Sequence, residues 1–527
     1  MSERIARSAG LNSLATLSSR LLGLVRDMVM AALFGAGMVN DAFLIASRVP
    51  NLVRDLFAEG AMSAAFVPTF TRYLKTHGKD AAWRLGNLVI NALLVVTGTL
   101  VVLGLLFTEP MLRWLGDEFE TAADGEKLAL TVQLARIVLP FLPMVAVAAA
   151  LAGMLNALRR FFIPALSPAL YNVAVILSAV TMVPLAVWMG WHPIVGFAVG
   201  TLLGGILQIV VQLPSLHREG FRYRPVLSLK DPALREMLLL MGPGTIGVAA
   251  AQVNLLVNTA LAAGIDGAVT SLQYAFRLMY LPIGLFGVAI ATVSLPELAR
   301  QATAGAFGEM RRTLSGSLRL MLMLCVPATV GLIALADPIV ALVYERGAFD
   351  AASTRATAAA LIFYAPGIVG YSIVKIASPS FYALRDARTP VMVSLATIGL
   401  NITLNLALVR VMGFQGLALG TAIASIFNAA ALLVLLGRRL DGLDQRRLLV
   451  AFLKILLASV AMGATAWGVS GWWTSVIPAT WPHTLAALLQ VFGSITAALL
   501  VLAGAAWALR LQEFMDAWAR VIGRLRG

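Results

Sequence analysis

The chain has 527 residues, 60% hydrophobic and only 13% charged, with mean hydropathy +0.86. Soluble domains carry about 25% charged residues, so this composition excludes a soluble enzyme and describes a protein mostly buried in lipid. The net charge of +14 points toward nucleic acid until its distribution is read, and the single cysteine, Cys325, excludes an intrachain disulfide.

Apolar spans of roughly 20 residues, the length that crosses a bilayer, recur along the whole chain. They predict helices over 11–34, 42–73, 82–107, 129–155, 163–189, 194–215, 236–263, 269–298, 314–336, 356–382, 390–410, 415–436, 448–470 and 484–509, fourteen in all. No cleavable signal peptide is expected, because the first apolar stretch is long, contains charges and lacks a small-residue cleavage site. That stretch, SSRLLGLVRDMVMAALFG (18–35), holds Arg20, Arg26 and Asp27. Seven residues separate Arg20 from Asp27, which puts them on one helix face, and Arg26 lies about 120° away. In the second helix Arg48, Asn51, Asp55 and Glu59 form a stripe, with Asp41 one heptad before it; Arg54 lies off the stripe, and Pro50 can bend the helix there. Further along, Arg136, Arg277 and Lys375 sit singly in predicted helices 4, 8 and 10.

Lys and Arg crowd one set of loops, such as Arg72, Lys75, Lys79 and Arg84 after helix 2 and Arg218, Arg222, Arg224, Lys230 and Arg235 after helix 6. The opposite loops hold few: Arg113, Lys127, Arg346, Arg355 and Arg410. This is a positive-inside pattern that places both termini in the cytoplasm, and it accounts for most of the net charge without nucleic acid. The four histidines, His77, His192, His217 and His483, are scattered through loops and suggest no metal site.

The chain also repeats. GFAVGT at 196–201 matches GLALGT at 416–421, ALRRFFIP at 157–164 matches ALRDARTP at 383–390, and Arg48 with Phe57 precedes Arg277 with Phe286 by a similar offset. The matches predict two six-helix lobes, 1–216 and 217–437, followed by an unpaired helix pair and tail, 438–527. Six is even, so the lobes run the same way through the membrane and their pseudo-twofold lies along the membrane normal.

A guanidinium at the bilayer centre costs about 2.5–3.5 kcal/mol on insertion scales. The buried charges must therefore form a salt-bridge lattice or line an aqueous cavity. Basic groups outnumber the acids Asp27, Asp41, Asp55 and Glu59. That excess favours a cationic cavity for an anionic, phosphate-bearing ligand, because arginine's planar fork grips phosphate oxygens in pairs. Lys375 either joins the cavity or snorkels toward an interface. No P-loop or dinucleotide fingerprint is present, since the glycines of GLALG follow no strand. Transport would then draw on ion gradients, the membrane potential or substrate supply.

SRLLGLVRDMVMAALFGAG (19–37), NDAFLIASRVPNLVRDLFAEGAMSAAFVP (40–68) and YAFRLMYLPIGLFGVAIATVSLP (274–296) closely resemble the MurJ (MviN) lipid II flippases, members of the same superfamily as the MATE exporters. The resemblance implies an all-α, MATE-like fold of fourteen transmembrane helices. It implies a bacterial inner-membrane protein, not an enzyme, that moves lipid II to the periplasmic leaflet by alternating access. It also implies a final helix pair that receives the lipid tail. It assigns substrate contacts to Arg20, Arg26, Arg54 and Arg277 and matches Asp27, Asp41 and Glu59 to acidic gating positions; the placement of the charges adds Asp41 to the substrate set and Arg48 and Lys375 to gating or charge pairing. Asp55 stands where some relatives carry a second arginine. Some relatives bind sodium in the second lobe. The matching region here offers Asn401, Asn405 and Thr421, with Asn254 or Asn258 beside them, but no deep carboxylate, so a potential-driven step is expected and the coupling ion, Na+ or H+, stays open. No cofactor is expected. The expected partners are lipid II, phospholipid and cell-wall synthesis or division proteins, with the chain itself a monomer. Rival readings are a MATE-type drug exporter, a flippase for another polyprenyl-linked glycan, and a membrane transferase acting on the same lipids.

Overall fold

In the computed structural model, residues 2–55, 65–114, 122–228, 230–478 and 480–515 are described. Glu59 and Phe57 lie outside them. The described chain is helical throughout, with no strand. Among the described residues ten helices are long and apolar enough to cross a membrane, or eleven if the pair Ala351–Tyr364 and Gly367–Ala383, bent by 46°, is one span. A helix satisfies every backbone hydrogen bond internally, which the bilayer requires. The outward faces are correspondingly apolar: Val95, Val102 and Leu106, for example, are exposed on one helix, and Met392 and Leu395 on another.

The chain divides into two compact units, 1–269 and 270–527. The first contains α1 (Ser2–Phe34), α2 (Met38–Ala46), α3 (Arg48–Asp55), α4 (Val67–Thr76), α5 (Gly78–Trp114), α6 (Ala122–Val138), α7 (Phe141–Ala157), α8 (Phe162–Trp188), α9 (Pro193–Val210), α10 (Leu213–Arg218) and α11 (Pro232–Ala263). Here α1 packs on α8, α8 on α9, and α2 on α6. Predicted helix 2 breaks at Ser47, just before Pro50, so its charged stripe is divided between α2 and α3. The aromatic rings of Phe66, Phe70, Trp83 and Phe221 touch in succession at 5.5, 5.7 and 5.5 Å between centroids and bind α4, α5 and the chain after α10 into one core. Beside that core, Arg160 and Lys79 hold Glu219 with contacts of 3.0 and 3.4 Å. The Arg160 hydrogen bond, more than any other influence, keeps the Glu219 carboxyl below the usual carboxylate range. That contribution is therefore present at neutral pH and is lost as pH falls through the lowered value.

By packing, α11 belongs with the first unit. Its N-terminus is capped by Asp231, which accepts from the backbone N–H of Ala233 at 3.0 Å, with Pro232 at the first helical position. Along its length it is tied by Arg72 to Glu236, by Gln252 to Asp55 and by Arg48 to Thr259.

The second unit contains α12 (Ala268–Pro282, entering from the boundary), a π-helical turn over Ile283–Gly287, α13 (Val288–Thr303), α14 (Phe307–Ala334), α15 (Ala336–Tyr344), α16 (Ala351–Tyr364), α17 (Gly367–Ala383), α18 (Arg388–Met412), α19 (Phe414–Arg439), α20 (Gln445–Val476) and α21 (His483–Ala508). The C-terminal hairpin of α20 and α21 packs on α14 and α15 of this unit.

The internal repeat is visible in local geometry. Helices α7 and α17 end alike. Arg159 and Arg385 both take left-handed backbone angles, φ 60° and 59°. In each, the next N–H returns to the final turn, Arg160 to Leu155 at 2.8 Å and Asp386 to Phe381 at 2.9 Å. A left-handed non-glycine residue costs about 1–2 kcal/mol; the same closure also ends α19 at Asp441 and α21 at Arg510, so this helix end is shared more widely than the matched pair. The glycines of the second match also act alike. A Cβ on Gly196 would overlap the Met182 carbonyl of α8, and one on Gly416 the Leu408 carbonyl of α18. These glycines let the paired helices approach backbone to backbone. Gly196→Ala and Gly416→Ala are each expected to lower stability by about 1–3 kcal/mol, read as a lower thermal midpoint of the purified protein.

Candidate functional site

The charged residues of α1 to α3 form distinct local sets. In α1, Asp27 is buried and the Arg26 side chain is 22% exposed. The Arg26 guanidinium donates to one Asp27 oxygen from Nε at 3.1 Å and Nη2 at 2.7 Å, and to Asn172 Oδ1 from Nη1 at 3.2 Å. Its Cζ lies 5.9 Å from the Tyr171 ring centre. Asn172 donates in turn to the Ser19 carbonyl at 3.1 Å. Arg26 is thus set in the seam between α1 and α8, with α8 supplying an amide and an aromatic face. Arg20, two turns earlier, is exposed, as the helical spacing requires for a residue well round the helix from Arg26.

In α3, Arg54 donates to Asp55 Oδ1 from Nε and Nη2 at 3.1 and 3.0 Å, its side chain 40% exposed. Gln252 of α11 donates to the other Asp55 oxygen at 3.3 Å. Arg48 donates to Thr259 Oγ1 at 2.9 Å. The recess beside Arg48 is about 30 Å³ and mostly apolar, room for one water and no headgroup. Arg48 is therefore a tie between α3 and α11.

Asp41, expected among the substrate contacts, sits in a buried ion pair. It is fully buried and paired with Lys127 at 3.1 Å; Lys127 also donates to the Ala263 carbonyl at 2.9 Å. In this conformation Asp41 is half of a closed latch joining α2, α6 and the end of α11, and presents no face to a ligand. Lys127 itself was assigned by hydropathy to an outer loop. The structure starts α6 at Ala122 and leaves Lys127 only 4% exposed. A lone basic residue in an otherwise acidic stretch was the available signal, and the span window began just after it. Asn172, Thr259 and Gln252 were also missed, since neutral polar residues in apolar helices carry no charge signal.

In the second unit Arg277 is half-buried on α12, while Lys375 is exposed on α17. Asn401, Asn405 and Thr421 do come together. Asn401 donates to Thr421 Oγ1 at 3.4 Å and Asn405 to Asn401 Oδ1 at 3.2 Å, all three buried. The Thr421 hydroxyl donates to the Leu417 carbonyl at 2.8 Å, and the set offers only neutral oxygens, a weak set for a hard cation. Among the described residues no group of three or more His, Cys, Asp or Glu is placed to hold a metal.

A family model described as lipid II flippase MurJ matches residues 30–486. The chain belongs to the MurJ lipid II flippase family. Probable lipid II flippases MurJ of Rhizobium tropici and Vibrio cholerae are each 34% identical to it, over 467 and 480 residues. Those alignments span 88% and 89% of this chain and 86% and 90% of the relatives. A solved lipid II flippase MurJ, in an inward closed conformation, superposes with TM-score 0.77 at 28% identity, covering 95% of this chain and 99% of that one. An inward-facing multidrug resistance MATE family transporter of the MOP superfamily shares the fold, with TM-score 0.67 at 14% identity over 82% of this chain. The expected MATE-like architecture and family are thereby established. Of the three stretches that carried the resemblance, 40–68 and 274–296 fall inside the match and 19–37 straddles its start.

Proposed function

We propose that this protein moves lipid II from the cytoplasmic to the periplasmic leaflet of a bacterial inner membrane, with both termini cytoplasmic, by alternating access. Family membership over most of the chain supports the substrate, and the observation that carries the mechanism is the guanidinium of Arg26. It is held in place by Asp27 and Asn172, backed by Tyr171, and still partly open. A positioned, incompletely buried fork is suited to a diphosphate. Arg20 and Arg54, both exposed to a similar or greater degree, supply further charge. Arg277 is assigned by its repeat equivalence to Arg48. The polyprenyl tail stays in lipid along α20 and α21. Asp27, Arg48, Lys375 and the Asp41–Lys127 latch serve charge pairing and gating. The protein works without a cofactor and as a monomer.

The arginine excess favours this over cationic drug export, which calls for a carboxylate-rich pocket. The neutral set at Asn401, Asn405 and Thr421 supports a step driven by membrane potential rather than tight sodium coupling. Purified protein in vesicles containing labelled lipid II should expose the label to an outside reagent. The rate should rise with an imposed potential and change less than about twofold, well under 1 kcal/mol of barrier, when sodium is replaced by potassium. Absence of exposure, with drug efflux instead, overturns the substrate; a strict sodium requirement overturns the energy source.

A further inference from the structure

A basic recess lies at the adjoining ends of α20 and α21, which the charge pattern assigns to the cytoplasmic side, and no step above uses it. It measures about 530 Å³, and its charged lining is Arg319 of α14, Arg446, Arg447 and Lys454 of α20, and Arg510 and Glu513 after α21. Two of the cations have internal partners: Arg319 pairs with Glu513 at 3.2 Å, and Lys454 donates to the Leu509 carbonyl at 3.0 Å. Glu513, the one carboxylate of the lining, is thus already engaged. Arg446, Arg447 and Arg510 are exposed, and among the described residues their side chains make no hydrogen bond or ion pair.

Two physical features make this more than a solvated charge cluster. Arg446 and Arg447 occupy the first turn of α20, which starts without a side-chain cap. The free backbone N–H groups there add positive partial charge to theirs. Arginines at a helix N-terminus work against the helix dipole, and an anion resolves the conflict. An apolar strip also runs up α20 beside the face that lines the recess. Leu449, Leu453, Leu457 and Val460 succeed one another at helical spacing up the same helix and are all more than half exposed.

We infer that the recess is a headgroup site for an anionic phospholipid. The phosphodiester is held by Arg446, Arg447 and Arg510, and an acyl chain lies along Leu449, Leu453, Leu457 and Val460. Free phosphate shares the charge but has no use for the apolar strip. The diphosphate of lipid II is assigned to Arg20, Arg26 and Arg54 of the first unit and Arg277 of α12, none of which lines this recess. Arg510 and Glu513 also lie beyond the stretch matched by the family model, which ends at residue 486.

The test uses the full-length protein in nanodiscs of mixed phosphatidylglycerol and phosphatidylethanolamine, with retained lipid read by native mass spectrometry. Each cation near an anionic headgroup contributes about fivefold, so three shift the preference by on the order of a hundredfold. The wild type should retain phosphatidylglycerol preferentially. Arg446→Gln/Arg447→Gln/Arg510→Gln should lose that preference at an unchanged thermal midpoint, and the corresponding triple lysine variant should keep most of it. If the triple glutamine variant fails to fold, Arg510→Gln alone should lower the preference about fivefold. Equal retention of the two lipids by wild type, an unchanged preference in the variants, or displacement by millimolar pyrophosphate overturns the inference. So does a parallel loss of lipid II retention in the glutamine variant, which would make the recess a substrate site. Transport failure in the wild type would count against the flippase reading and leave this measurement standing.

Discussion

Arg26→Ala is expected to lower the rate of lipid II translocation about 10–100-fold, the effect of losing one charge-assisted hydrogen bond of about 1.5–3 kcal/mol. The variant carries a second consequence. Asp27 has 10% of its side chain exposed and takes two bonds from Arg26. Without Arg26 its nearly buried charge loses both of those bonds, so the alanine variant should also melt at lower temperature. The double variant Arg26→Ala/Asp27→Asn separates the two effects. It removes both charges, so the thermal midpoint should return most of the way while transport stays low. Arg26→Lys should be intermediate, because a point charge cannot reproduce the planar fork that spans Asp27 and Asn172. The measurement is initial translocation rate in vesicles at equal protein, beside a melting curve. Recovered transport in the double variant would mean that Arg26 serves only to neutralise Asp27, and the guanidinium would lose its place as a ligand for the diphosphate.

That comparison decides between the two readings the sequence leaves standing, a salt-bridge lattice and an anion site. The structure shows local pairing beyond what composition suggests: Arg26 with Asp27, Arg54 with Asp55 and Asp41 with Lys127. It also leaves Arg20 exposed and Arg26 and Arg54 partly open. The fold was largely legible, because bilayer thickness imposes a period on hydropathy and because the repeat left matched glycines, Gly196 with Gly416. The pairing was less so. Helical spacing reports which residues share a face, so it placed Arg20 with Asp27. The observed bond runs instead between neighbours, Arg26 and Asp27, whose long and short side chains bend toward each other across the angle between them. Residues that position a charge from another helix, such as Asn172 for Arg26 and Thr259 for Arg48, become visible only when the helices are packed. Packing also groups α11 with α2, α3 and α5, a grouping by contact on which the sequence repeat is silent.

The second large effect concerns the latch. Lys127→Met should destabilise the protein by about 3–5 kcal/mol, since it leaves Asp41 charged, fully buried and without its ammonium partner. Against a total stability of about 5–15 kcal/mol, that is enough to cut folded yield. Asp41→Leu should cost a similar amount by stranding Lys127. Lys127→Met/Asp41→Leu should lie closer to wild type than either single variant, because replacing a whole buried pair with apolar groups is often neutral, while the bond to the Ala263 carbonyl, worth about 1 kcal/mol, is lost with it. Chemical denaturation of all four proteins gives the coupling directly, and additive single effects would rule out the pair as a unit. Transport then tells latch from strut. Asp41, Lys127 and Ala263 belong to three separate helices, and the bonds among them must break if those helices move apart during each cycle. A stable double variant that still transports shows a strut; a stable double variant whose transport is altered shows that the making and breaking of this pair is part of the cycle.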